Sequence, residues 1–308
     1  MAQQRLGLKM MRFIAVFIAL FLAVTTFSSE NADATEFGGG AYPNGAEDFM
    51  AGALPPPGTY FINYLTYYTA DKFKGLKDPL GRDVDFSVDV IANTFRFIHV
   101  TKYQILGANW GVQAFLPFLY VDASFPFGSD DKFNIGDIII DPILLGWHTK
   151  NWHFGAGLDI YIPTGDFDKN DLANTGRNYW TFEPVFLFTY LSDGGFEVSS
   201  KFMYDFNTEN DDTNYQSGQE FHFDYTIGYK IKNWSLGIGG YFYKQTTNDE
   251  IDGRKVEPDG FMGRVFAIGP QVKYDYKNMA FTLKYQKELD VKNRPEGDKF
   301  WFKFMYAF

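Results

Sequence analysis

Residues 298–308, DKFWFKFMYAF, decide the fold because every second side chain is an aromatic ring. Successive side chains of a β-strand point to opposite faces of a sheet, so one face of this stretch is a row of rings and the other carries two lysines. A soluble protein would have to cover such a row with a second layer. In an outer-membrane barrel the rings face lipid and the lysines face the lumen. The stretch predicts a strand, and the rest of the chain must decide what it faces.

The composition indicates an exported all-β protein. Aromatic residues make up 19% of the chain, with 34 Phe and 20 Tyr, and such side chains favour strands. The mean hydropathy is -0.24. There is no cysteine, which excludes disulfides and thiolate metal sites. The net charge of -10 disfavours binding to nucleic acid.

The N-terminal region has the three parts of a secretory signal peptide. Arg5, Lys9 and Arg12 precede an apolar run over residues 13–24, and a small-residue site ends at Ala34. A run of that length is too short to span a bilayer as a helix. We therefore expect residues 1–34 to be a leader that is cleaved after about Ala34 during export to the bacterial outer membrane.

Alternating segments bounded by polar clusters predict an all-β protein, a transmembrane antiparallel up-and-down β-barrel of about twelve strands over residues 58–308. Short turns are assigned to the periplasmic side and long acidic loops to the extracellular side, so both termini would lie in the periplasm. All six tryptophans lie near predicted strand ends, where interfacial girdles form. The predicted strands are 59–70, 84–98 (with a bulge near Asn93), 107–121, 135–148, 152–164, 179–191, 196–206, 218–231, 234–245, 263–275, 279–289 and 298–308. The predicted long loops are 71–83, 122–134, 165–178, 207–217, 246–262 and 290–297.

Polar side chains on the parity opposite the rings are predicted to line the lumen, because a charge facing lipid at mid-depth costs roughly 2–4 kcal/mol. Two interpretations remain open. These groups either pair with one another and stiffen the wall, or they line a conduit or binding site. The candidates for a substrate pathway are Asp89, Asp137, Asp141, Asp159, Glu183, Lys201, Asp224, Lys284 and Lys303.

Residues 35–57, between the leader and the first strand, contain runs of three glycines and three prolines that exclude a regular element. They also carry apolar side chains, which a solvated linker would not need. A plug inside the lumen and a disordered periplasmic tail are both consistent with this composition. The candidate side chains for a plug are Phe37, Tyr42, Phe49 and Met50.

Four motifs give the chain a resemblance to a known family. They are YPNGAEDF at residues 42–49, PPPGTY at 55–60, GDI at 136–138 and PTGD at 163–166. With these motifs, nearly the whole mature chain resembles the family named for the meta-pathway of phenol degradation, whose members are outer-membrane barrels regarded as transporters. The resemblance implies uptake of small hydrophobic or aromatic compounds, and it implies no residue roles.

Enzymatic and metal chemistry find little support in the sequence. Outer-membrane phospholipases use a Ser-His-Asn arrangement, but His99, His148, His153 and His222 have no serine at a persuasive spacing. Acidic residues 166–171 resemble the start of a calcium loop but lack its sixth-position glycine and its closing glutamate. We therefore expect no enzymatic activity, no metal and no cofactor.

The sequence predicts an outer-membrane channel for small hydrophobic or aromatic compounds, released to the periplasm or laterally into the membrane. A narrow channel for polar solutes such as nucleosides or acidic sugars remains an alternative, as does a structural or adhesive surface barrel. The expected partners are outer-membrane lipid, the transported molecules and the barrel assembly machinery. That machinery would recognise the aromatic C-terminal residue Phe308.

Overall fold

The computed structural model describes residues 32–33, 38–77, 80–256 and 260–308. The predicted cleavage site after Ala34 and the plug candidate Phe37 therefore lie outside the described residues. Residues 32–308 form one compact unit. Among the described residues, no helix is long and apolar enough to cross a membrane.

Twelve antiparallel strands form a closed barrel, which confirms the predicted fold class. The last strand pairs with the first, and this pairing closes the sheet. The fourth strand is divided into two segments at residues 136–137, and both segments pair with the third strand. The strands are β1 (Gly58–Phe73), β2 (Ser87–Ile105), β3 (Ala108–Phe125), β4 (Gly128–Ile135 and Ile138–His148), β5 (Trp152–Ile162), β6 (Thr181–Leu191), β7 (Phe196–Asn207), β8 (Glu220–Ile231), β9 (Trp234–Gln245), β10 (Arg264–Tyr276), β11 (Met279–Lys292) and β12 (Pro295–Ala307).

The connections distinguish two ends of the barrel. We call the end with the connections 106–107, 149–151, 192–195, 232–233 and 277–278 the turn end, and the opposite end the loop end. Long connections at the loop end include residues 163–180, 208–219 and 246–263. Short strands pair within these loops, such as Glu209–Asn210 with Tyr215–Gln216. Phe308 lies at the turn end, where its N–H donates to the carbonyl of Thr59.

The aromatic alternation of β12 is confirmed. Phe300 and Phe302 are 47% and 37% exposed on the outer surface, whereas Trp301 between them is only 3% exposed. Trp152, Trp180 and Trp234 are exposed near strand ends. The assignment of all six tryptophans to girdles is therefore wrong for Trp301, whose side chain points into the barrel with the lysine parity of β12.

Two of the predicted long loops are instead tall hairpins. β3 and β4 continue to a two-residue connection at 126–127, and β11 and β12 continue to one at 293–294. The predicted loops 122–134 and 290–297 are therefore wrong. Polar residues such as Asp130 and Asp131 predict a loop, but a strand that extends beyond the bilayer can remain paired and still carry charges in water.

The outer and inner faces of β2 change character along the strand. Its pairing with β1 is continuous through Asn93, and the irregularity lies between Val100 and Gln104, so the predicted bulge at Asn93 is wrong. Towards the loop end, Val88 and Val90 face the lumen, and the residue between them, Asp89, faces outward.

The placement of Asp89 in the lumen is also wrong. Asp89 accepts a hydrogen bond of 2.6 Å from the hydroxyl of Tyr67, which is 41% exposed and stacks on the outward ring of Phe300. The prediction assumed that the richer apolar face meets lipid along the whole strand. That rule does not apply at the loop end, where β2 carries an apolar inner face and a charged outer face.

Residues 38–57, which we call the luminal segment, run through the barrel from the loop end to the turn end. At the loop end, the carbonyl of Gly40 accepts a hydrogen bond of 3.1 Å from Nη2 of Arg177 in the 163–180 loop. Towards the turn end, the N–H of Gly52 donates to the hydroxyl of Thr189, 3.0 Å away. The backbone of residues 32–33 pairs with Gly260–Phe261 in the 246–263 loop. The expectation that both termini lie at the turn end is therefore wrong for this N-terminal part.

Candidate functional site in the barrel lumen

Two wall residues that lie three strands apart hold the backbone of the luminal segment. Asp224 of β8 accepts hydrogen bonds from the N–H groups of Gly45 and Glu47 at 2.7 and 2.9 Å, and from the hydroxyl of Tyr42 at 2.7 Å. Lys284 of β11 donates to the carbonyls of Gly45, Ala46 and Glu47 at 2.7, 2.7 and 3.2 Å. We call Asp224 and Lys284 the clamp, because one satisfies the donors of this backbone and the other its acceptors.

Ion pairs fix the acidic side chains of the luminal segment to the wall. Asp48 lies 2.6 Å from the ammonium of Lys303 and 3.6 Å from that of Lys284. Glu47 accepts a 2.8 Å hydrogen bond from Arg96 of β2. Removing one partner from a buried ion pair costs about 3–5 kcal/mol, so these contacts position the segment strongly.

The plug candidates that are described lie inside the barrel. Tyr42 and Phe49 are 8% and 5% exposed, and Met50 is half-buried with its N–H donating to Glu197 at 2.6 Å. The ring of Tyr42 lies 5.2 Å from that of His222, centroid to centroid. Their function as a plug stays a prediction.

A connected polar network continues from Glu47 around the wall. Arg96 donates to Gln113, and Gln113 donates to Asp159 at 3.2 Å. The ammonium of Lys201 lies 2.9 Å from Asp159 and 3.4 Å from Glu183. Charged groups in this part of the wall are thus paired with one another, as one of the two open interpretations expected.

Asp137 and Asp141 hold backbone around the break in β4. The carboxylate of Asp137 accepts from the N–H groups of Gly165 and Arg177 at 2.9 and 2.8 Å, which attaches the 163–180 loop to the wall. Asp141 accepts from the N–H of Ile143 at 2.8 Å. The structure thus places all of the pathway candidates except Asp89 on the luminal side, and their part in transport stays a prediction.

The luminal segment separates two cavities. The larger cavity has a volume of about 380 Å³ and lies towards the loop end, between the segment and the walls formed by β1, β2 and β3. The smaller one, of about 140 Å³, lies towards the turn end and is lined by residues of the segment together with Ile62, Leu144 and Met305. Glu47 lines both cavities, so the segment is the partition between them.

The larger cavity has one apolar and one polar side. Its apolar wall, as we call it, comprises Val88, Val90, Ala92, Leu119, Val121 and Ala123 on β2 and β3. Tyr68 of β1, the register partner of Val90, and Tyr241 of β9 also line the cavity, and the ammonium of Lys299 lies over both rings at 5.3 and 4.6 Å. Charged side chains such as Asp159, Lys201 and Arg294 also line the cavity. A pocket that combines an apolar wall with polar groups that can orient a ligand is typical of sites for small organic molecules.

Sequence reasoning missed Arg96 and the apolar wall for the same reason. The predicted bulge implies that the two faces of β2 exchange near Asn93, whereas Val88, Val90 and Arg96 share one inward face. The available signal was the unbroken even parity of these residues. This parity predicts the apolar wall only if an apolar face of a strand is expected to point into the lumen.

The carboxylates of the acidic 163–180 loop have partners on β4 and within the loop itself. Lys132 lies 3.2 Å from Asp166 and 2.7 Å from Asp171. Asn170 donates both its backbone N–H and its side-chain amide to Asp168, and these hydrogen bonds lower the pKa of that carboxyl. This arrangement agrees with the interpretation of the stretch as an acidic surface loop.

The closed barrel with outward-facing rings and buried charged groups inside it defines the class of outer-membrane β-barrel proteins. The family model described as "Putative MetA-pathway of phenol degradation" matches residues 71–304. The chain belongs to this family, and the resemblance drawn from the sequence is confirmed.

One solved structure supports the fold, and two further barrels are more distantly similar. An outer-membrane channel from Pseudomonas putida F1 is 18% identical, with a TM-score of 0.72 over 84% of this chain and 98% of that one. The translocator domain of the autotransporter NalP from Neisseria meningitidis is 10% identical, with a TM-score of 0.49 over 83% of this chain and 91% of that one. A FadL homologue from Pseudomonas aeruginosa is 10% identical, with a TM-score of 0.41 over 92% and 99% of the two chains. No match was found among curated proteins.

Proposed function

We propose that this outer-membrane channel takes up small hydrophobic or aromatic molecules, which bind first in the larger luminal cavity. The observation that carries the proposal is the apolar wall of β2 and β3 in a cavity whose other lining residues include several charged side chains. Burying apolar surface against Val90 and Val121 stabilises a bound apolar ligand by about 25 cal/mol per Å². A channel for water-soluble solutes alone would have no use for such a wall.

The luminal segment controls the next step of passage in this proposal. It separates the two cavities, so a bound molecule can move towards the turn end only when the segment shifts. The clamp and the ion pairs of Asp48 hold it in the closed arrangement. Release at the turn end delivers the molecule to the periplasm. Lateral release into the membrane remains the other route.

A binding measurement with one wall variant tests the ligand class. Val90→Asp places a carboxylate in the apolar wall, and we expect it to weaken binding of naphthalene to the purified protein at least tenfold, or about 1.4 kcal/mol. Titration of naphthalene fluorescence measures the affinity, and glucuronate serves as the polar probe.

The matched control is Asp89→Ala, one residue away on the outer face of the same strand. It should leave naphthalene binding unchanged, and both variants should keep the heat-modifiable migration of a folded barrel. Tight binding of glucuronate together with no binding of naphthalene would favour the channel for polar solutes and reject the proposal.

A further inference from the structure

A second cluster in the lumen lies behind the luminal segment and outside both cavities. Glu183 of β6, Asp205 of β7 and His222 of β8 bring one potential metal-binding atom each to within 4.8 Å of one another. All three side chains are fully buried. We call these residues the acid–histidine cluster, and they lie on the inward faces of three neighbouring strands.

The cluster has a deficit of hydrogen-bond partners and of positive charge. Among the described residues, neither ring nitrogen of His222 and neither carboxylate oxygen of Asp205 forms a hydrogen bond. Lys201 is shared between Asp159 and Glu183, and it has no salt bridge to Asp205 within the described part of the chain. Buried polar groups without partners are costly, so an imidazole and a carboxylate in this state point to a bound cation.

The spacing of the cluster suits a metal ion. Nε2 of His222 lies 3.2 Å from Oδ2 of Asp205 and 3.6 Å from Oε2 of Glu183. Zinc bonds to imidazole nitrogen and carboxylate oxygen are about 2.0–2.2 Å long, so two ligands of a tetrahedral ion are separated by about 3.3–3.6 Å. The observed separations therefore need little adjustment.

The surroundings of Glu183 are organised as in many metal sites. Its Oε1 faces Lys201, while its Oε2 faces His222 and accepts a 3.0 Å hydrogen bond from the hydroxyl of Tyr161. Such an outer hydrogen bond orients a carboxylate ligand. The ring of Tyr42 covers His222, so the luminal segment lies over the cluster and has to move for an ion to enter.

We propose that Glu183, Asp205 and His222 bind a divalent transition-metal ion of the Zn²⁺ class inside the barrel. In the described structure Asp205 has no cationic partner except His222, and the ion supplies two positive charges at this place. The ion also links β6, β7 and β8. The alternative arrangement is a proton shared between the two carboxyl groups. The two arrangements differ in metal binding, which makes them separable by experiment.

Metal titration of the full-length barrel in detergent tests this proposal. The protein is first treated with chelator, and then Zn²⁺ is titrated by calorimetry and Co²⁺ is followed by visible absorption as a geometric probe. We expect one ion per chain at this site, a raised melting temperature with Zn²⁺, and an affinity at least tenfold weaker, about 1.4 kcal/mol, in His222→Gln and Asp205→Asn.

The control removes a different histidine pair. His148 and His153 lie at the turn end with their Nδ1 atoms 3.0 Å apart and could bind Zn²⁺ themselves. The double variant His148→Gln/His153→Gln should retain the site and the Co²⁺ spectrum. Wild-type protein that binds no Zn²⁺, or equal binding by wild type and His222→Gln, would overturn the proposal in favour of a shared proton. Heat-modifiable migration shows that each variant is folded.

Discussion

A chain that lacks residues 38–54 but keeps its leader and β1 should form a folded barrel with a larger and less selective conductance than the wild type. In the intact protein this segment separates the two luminal cavities. Its removal would join them into one water-filled passage. The barrel should still close, because the pairing of β1 with β12 does not involve the deleted residues. Single-channel recording in planar bilayers measures the change.

Loss of the segment also leaves several wall charges without their present partners. Asp224, Lys284 and Lys303 would then face water in the open lumen, where charges are hydrated at little cost. Heat-modifiable migration should therefore resemble that of the wild type. An unchanged conductance in a correctly folded deletion variant would show that the segment does not restrict the passage.

The second large effect is expected from the clamp. Asp224→Ala removes the acceptor of three hydrogen bonds from the luminal segment, and an unsatisfied buried donor costs about 1–3 kcal/mol. The free energy that favours the docked over the displaced luminal segment should therefore fall by at least about 1.4 kcal/mol. This change raises the population of the displaced segment about tenfold. In bilayers this appears as a higher open probability, with open events as large as those of the deletion variant.

A surface ion pair supplies the control for Asp224→Ala. Lys150 and Asp193 form an exposed pair at the turn end, 2.5 Å apart, and Lys150→Ala should leave the open probability unchanged. If Asp224→Ala had the same open probability as the wild type and Lys150→Ala, the clamp would not be what keeps the segment docked.

The barrel itself could be predicted because its signal is local and repeated. In β12 and β8 one parity is almost entirely aromatic or aliphatic and the other carries the charged side chains, so both strands and both faces follow from the period of two. The clamp residues Asp224 and Lys284 were found in this way. Their partners were not, because backbone groups of a loop-like segment leave no pattern in the sequence that shows which wall residue they will meet.

The errors cluster where the environment changes along one strand. Near Asp89 and Val90, the valines of β2 face the lumen and a carboxylate faces outward, so the rule that apolar side chains face lipid no longer holds. For the same reason the apolar wall was not predicted, and the tall hairpins were predicted to be loops. The acid–histidine cluster was missed for another reason, since Glu183, Asp205 and His222 come from three strands and meet only through the register of β6, β7 and β8.

Uptake by intact cells tests most directly whether the luminal cavity conducts apolar molecules. The quantity to measure is the initial rate at which cells with a native outer membrane take up a radiolabelled small aromatic hydrocarbon. Cells that lack the gene are complemented with wild-type protein, Val90→Asp or Asp89→Ala at equal levels of folded barrel. We expect wild type and Asp89→Ala to raise the rate several-fold above cells without the protein, and Val90→Asp not to raise it. Equal rates in wild-type, Val90→Asp and protein-free cells would contradict the claim that the luminal cavity conducts apolar molecules.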